Sequence, residues 1–288
     1  MSTARDPRIP FCGTIQPMTE RRSLPDPSRL SVLTAAILLA FALTRVLQAP
    51  QLFSLPISLG NFNLTLRFNL NTVIILLAAG VTATGMDWLL RTHPTLKIGE
   101  SREHWLLPTL TVLVTGITLN TLPNTPVWWI GFGVAALLFL AVSLSEFVAV
   151  DPTDRRYPLA TAFLSVLAFV IFLILGVALK AADARLVLVV PALFLAGSLA
   201  ALRTLHLRLN ERWEPAWAAG IGLVAAQLGA ALHYVPLTPV QFGLALLAPL
   251  YALTVLAVNL LEGTPFRRAF VEPTVMLGLF WGLAIWFR

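Results

Sequence analysis

Residues 71–94 read NTVIILLAAGVTATGMDWLLRTHP. The stretch carries no charge before Asp87. Its apolar run has roughly the 20-residue length that a helix needs to cross a hydrocarbon core about 30 Å thick. It then ends in Asp87, Trp88, Arg91 and His93. Either these residues mark where a helix leaves the lipid, or they begin a site. Asp87 and Arg91 stand four apart, so on a helix they share a face and can pair. Trp88 suits the interfacial belt. His93 precedes Pro94, where a helix should already have stopped.

The same pattern recurs along the chain. Of the 288 residues, 57% are hydrophobic and 12% charged, and the mean hydropathy is +0.81. Soluble domains carry about 25% charged residues. The composition therefore describes an all-α integral membrane protein. Nine transmembrane helices are expected, at 30–48, 70–91, 104–122, 127–149, 157–179, 185–204, 215–234, 239–261 and 269–287. The third and fourth are separated by TLPNTP (121–126), a turn signal.

Residues 1–29 hold five prolines, five arginines and no apolar period, and read as a disordered cytoplasmic tail ahead of a transmembrane domain spanning 30–288. LSVLTAAILLAFALTRVLQ (30–48) has no small-residue cleavage site after it and reads as a retained first span. The single cysteine, Cys12, excludes an internal disulfide and a multi-cysteine metal site. It reads as an inert tail thiol, with palmitoylation as the alternative.

The formal net charge of +6 does not indicate nucleic acid, because the basic residues are scattered over short loops without an aromatic-lined basic face. It reports orientation instead. With the N-terminus in the cytoplasm and the C-terminus outside, only Arg67, Lys180, Arg185 and Arg288 fall in outer segments, with Arg45 inside the first span. The expected surroundings are the lipid bilayer of a cell (cytoplasmic) membrane, and other membrane proteins within it.

In the first outer loop, LFSLPISLGNFNLTLRFNL (52–70), apolar residues alternate on both sides of Gly60-Asn61. That period of two predicts a short β-hairpin on the outer face, with an irregular loop as the alternative. The sequon Asn63-Leu64-Thr65 inside it reads as incidental. Further on, Ala218, Gly222, Ala226 and Ala230 recur every fourth residue, as do Ala192, Ala196 and Ala200. Such ridges let helices approach closely.

Ionisable groups in membrane spans are functional candidates by default. Asp87, Glu146, Glu262 and Glu272 all fall near inner ends of spans, and Arg268–Glu272 repeats the i,i+4 spacing of Asp87–Arg91. Asp87, Glu146, Glu272 and His93 are the candidate catalytic residues. His104 and His206 lie on the same side and could add a base or ligands. Chemistry on a phosphate headgroup would require these groups to converge. A polar pathway toward the outer side would use His233, Gln227 and Asn259. Asn120 and Asn259 also suit hydrogen bonds between helices, and Arg45 can snorkel outward. No phosphate loop, HExxH pair, GxSxG elbow or pair of matched broken helices is present. Neither a metal nor a cofactor is expected.

FALTR (41–45) and GMDWLLRTHP (85–94) resemble multi-pass bacterial membrane proteins of a family of unknown function. The resemblance implies a bacterial cytoplasmic membrane and supplies no activity or catalytic residue. Three functions stay in view: a structural or accessory membrane protein, a transporter of a small or amphipathic solute, and a lipid-headgroup enzyme using the carboxylates at the inner rim.

Overall fold

The computed structural model describes residues 25–47, 53–59, 62–93, 104–123, 125–209 and 212–287. Cys12, most of the 1–29 tail and the Gly60-Asn61 turn lie outside them. The body is all-α. Its helices are α1 (Pro27–Val46), α2 (Leu70–Leu90), α3 (Leu106–Thr121), α4 (Pro126–Val148), α5 (Tyr157–Ala181), α6 (Leu186–Arg208), α7 (Pro215–His233), α8 (Pro239–Leu261), α9 (Phe266–Ala269) and α10 (Val271–Trp286). Between α1 and α2, β1 (Phe53–Leu59) runs antiparallel to β2 (Phe62–Phe68), with Phe53 opposite Phe68 and Leu59 opposite Phe62.

Among the described residues eight segments are long and apolar enough to cross a membrane, α9 and α10 counting together as one. This makes the protein multi-pass. The predicted third span, 104–122, is the exception to nine, because α3 has only 16 residues. That is about 24 Å of helix, short of a hydrocarbon core. The shortness goes with its position. Val112 and Leu119 of α3 join a core made with α1, α2 and α4, around Phe41, Met86 and Phe139. Leu107, Leu110 and Val114 join a second core around Phe172, Leu193 and Leu250. α3 is thus a wall shared by two sub-bundles, and it meets protein on most sides instead of lipid.

Helix starts follow the sequence closely. Proline opens α1, α4, α5, α7 and α8, where its missing N–H costs nothing. Asp26 caps α1 through Ser28 N, so that helix begins before residue 30. Thr238 and Gln241 form a capping box on α8. Two helix exits need left-handed backbone, supplied by Asp183 after α5 (φ 45°) and Gly263 after α8 (φ 75°).

Prolines inside helices leave carbonyls without an N–H partner four residues back. Neighbouring helices repair two of them. Pro249 frees the Ala245 carbonyl, which accepts from Trp281 Nε1 of α10 at 3.2 Å. Pro273 frees the Ala269 carbonyl, which accepts from Asn259 Nδ2 of α8 at 3.1 Å. Both repairs tie α10 to α8.

Candidate functional site at the inner helix ends

Glu146, His104 and Arg203 meet where the start of α3 and the ends of α4 and α6 come together. Glu146 is fully buried and Arg203 is 2% exposed. Arg203 Nε donates to Glu146 Oε1 at 3.1 Å, and its Nη2 donates to Oε2. His104 Nδ1 lies 2.7 Å from Oε2. A carboxylate only accepts, so Nδ1 carries a proton and donates it. The 3.2 Å approach of Arg203 Nη2 to the same nitrogen is then a contact between two donors, not a bond. Both carboxylate oxygens are taken, and the Glu–Arg charges cancel. The group joins the α1–α4 sub-bundle, through Glu146, to the second sub-bundle, through Arg203.

His93 follows α2 and packs edge-on against Phe147 of α4, with ring centroids 4.8 Å apart. Burial holds its imidazole below the usual histidine range. Asp151 and Asp154 oppose that shift, and nearby His104 adds to it. Because the folded state disfavours the protonated ring, the unfolded chain binds the extra proton more readily. Stability is therefore complete above about pH 6.5, and is lost as pH falls through the lower folded value. Thermal unfolding in detergent between pH 7.5 and 5.5 should show this loss, and His93→Gln should flatten it. An identical pH slope in both proteins would remove His93 as its source.

The other candidates are held separately. Asp87 Oδ2 accepts from Arg91 Nε at 2.8 Å, as their spacing predicted. Arg29 of α1 donates to the Trp88 carbonyl at 2.8 Å and lies over the Trp88 ring. The opening stretch is therefore a helix end engaged with its neighbours. Glu272 accepts from Tyr251 Oη at 3.2 Å. Among the described residues no ion pair joins it to Arg268; α9 ends at Ala269 and α10 begins at Val271, so the turn at Phe270 stands between the two. His206 is buried against Trp213, with ring centroids 4.8 Å apart. No three His, Cys, Asp or Glu among the described residues are grouped to hold a metal.

The proposed polar pathway residues are dispersed. His233 is half-buried at the end of α7, and its carbonyl accepts from Lys180 Nζ at 2.9 Å. Gln227 is exposed on the α7 surface. Asn259 stands at the opposite end of the bundle, repairing the Ala269 carbonyl. Asn120 bonds to Asn71 of α2 at 2.9 Å, and Arg45 lies over the Trp128 ring at 4.7 Å. Arg203 was missed as Glu146's partner. Its one sequence signal is a cation inside the apolar run LAALRTLHL (199–207).

A family model for proteins of unknown function, DUF5656, matches residues 49–287, most of the chain. The chain belongs to this family. No curated protein and no solved structure gives a significant match. Membership agrees with the resemblance read from FALTR and GMDWLLRTHP, although FALTR precedes the matched region. It adds no reaction to the DUF5656 fold described above.

Proposed function

We propose that this protein is a structural or accessory component of a bacterial cytoplasmic membrane, acting by contact with lipid and with other membrane proteins. One observation carries the reading: the buried ion pair and several other polar side chains of the bundle are spent on the bundle itself. Glu146, Arg203 and His104 satisfy one another. Arg29, Lys180, Asn259 and Trp281 serve backbone carbonyls of neighbouring helices. Asp87 and Glu272 each have a separate partner, so among the described residues these carboxylates do not converge on one site for a headgroup enzyme.

The topology that suits this role has nine passes, the N-terminus in the cytoplasm, the C-terminus outside and β1–β2 on the outer face. Asn71–Asn120 at one end of α3 and His104–Glu146 at the other support counting α3 as a short interior pass. In a Cys12→Ser background, a membrane-impermeant thiol reagent added outside intact cells should label Arg67→Cys and spare Arg155→Cys. The reverse pattern would overturn the orientation.

A transporter is the second reading. It is favoured by a cavity of about 200 Å³ lined by Lys180, Asp183, His233 and Phe242 at the end opposite the Glu146 group. Native mass spectrometry on protein extracted gently from its own membrane separates the two. A second polypeptide or bound lipid supports the contact role. A retained small solute of defined mass supports transport.

A further inference from the structure

We infer that the groove between the start of α5 and the end of α6 is a binding site for the headgroup of an anionic phospholipid. The groove encloses about 320 Å³, and Tyr157, Thr161, Ala162, Ser165, Leu207 and Arg208 line it. It extends from the first residue of α5 to Ser165, about 12 Å along the helix. It therefore begins at the helix ends, where the bundle meets water, and descends along the part of α5 that lies in lipid. That shape takes a phosphate at the rim and the upper part of an acyl chain below it.

Arg208 supplies the charge argument. Four cations at the helix ends are engaged: Arg91 with Asp87, Arg203 with Glu146, Arg29 with the Trp88 carbonyl, Lys180 with the His233 carbonyl. Among the described residues Arg208 forms no ion pair and no hydrogen bond, although its charge reaches the Tyr251 phenol. It is exposed on the groove wall. Its guanidinium can present two parallel N–H donors to a phosphodiester. Exposed Arg155 and Arg156 immediately precede α5, and the positive end of that helix dipole faces the same rim.

The hydroxyls within the groove set a further limit. Thr161 donates to the Tyr157 carbonyl at 3.0 Å, and Ser165 donates to the Thr161 carbonyl at 2.9 Å. Their protons are spent on the helix, so these two side chains add acceptors and no anion-binding donor. The phosphate is thereby directed to the Arg208 end. The inference rests on the contact role proposed above and names its lipid.

The test is native mass spectrometry of the full chain, purified in detergent and given equimolar phosphatidylglycerol and phosphatidylcholine. Wild type should retain one phosphatidylglycerol in preference to phosphatidylcholine by about tenfold or more, the order expected for one charge-assisted pairing. Arg208→Gln should abolish the preference, and Ala162→Trp should do so by filling the groove. Arg91→Gln, which removes an exposed but paired cation, should leave it intact. Equal retention of the two lipids by wild type, or an unchanged preference in both groove variants, would overturn the site. If bulk lipid still stays bound in that case, the contact role stands without it. Glycerol phosphate competing as well as the lipid would overturn the lipid assignment in favour of a soluble phosphate.

Discussion

Arg203→Met is expected to destabilise the protein by about 3–5 kcal/mol, the cost of breaking a buried ion pair by removing one partner. Glu146 would keep only His104 as a donor, in a position with no access to water. The loss should appear as a large fall in the midpoint of thermal or denaturant unfolding in bicelles. Glu146→Met together with Arg203→Met should recover most of it, since two apolar side chains of similar volume leave no uncompensated charge. The double-mutant cycle then isolates the pairwise energy. Asp87→Asn sets the scale at the other extreme. Arg91 is 72% exposed, so that pair is screened and should contribute no more than about 1 kcal/mol. Equal losses for Arg203→Met and Asp87→Asn would mean that the buried group does not join the two sub-bundles.

The contrast between those pairs also marks what the sequence can express. Asp87 and Arg91 are four residues apart on one helix, so their meeting is a matter of local geometry. Glu146 and Arg203 are 57 residues apart on different helices. Nothing in either segment encodes which helix faces the other, so the sequence could offer Glu146 as a candidate without its partner. Arg268 and Glu272 fail for a related reason. Their spacing has meaning only within one continuous helix, and α9 ends at Ala269. Apolar run length located the helices well, because backbone satisfaction in lipid leaves a chain little alternative. It overestimated α3, because length requirements come from lipid and α3 is surrounded by protein. Asn259 was legible as a polar residue in need of a partner, but the partner is a carbonyl freed by a proline on another helix. That match exists only once α8 and α10 are side by side.

The small-residue ridge of α7 gives the second large effect. Gly222→Ala should destabilise the α6–α7 seam by about 1–3 kcal/mol or more, as overpacking of a filled interface does. A Cβ built at Gly222 would lie 2.0 Å from Ser198 Oγ, 2.7 Å from the Phe194 carbonyl oxygen and 2.8 Å from Ser198 N. The hydroxyl can rotate away, but the other two atoms belong to the α6 backbone, so the helices would have to separate. Ser198→Gly in the same chain should therefore restore only part of the loss. Gly220, two residues earlier, has open space where its Cβ would go. Gly220→Ala should be neutral or slightly stabilising, since alanine favours the helix by up to about 1 kcal/mol. Unfolding midpoints for the three variants decide the matter. If Gly222→Ala and Gly220→Ala behave alike, the close approach of α6 and α7 is not what holds this half of the bundle together.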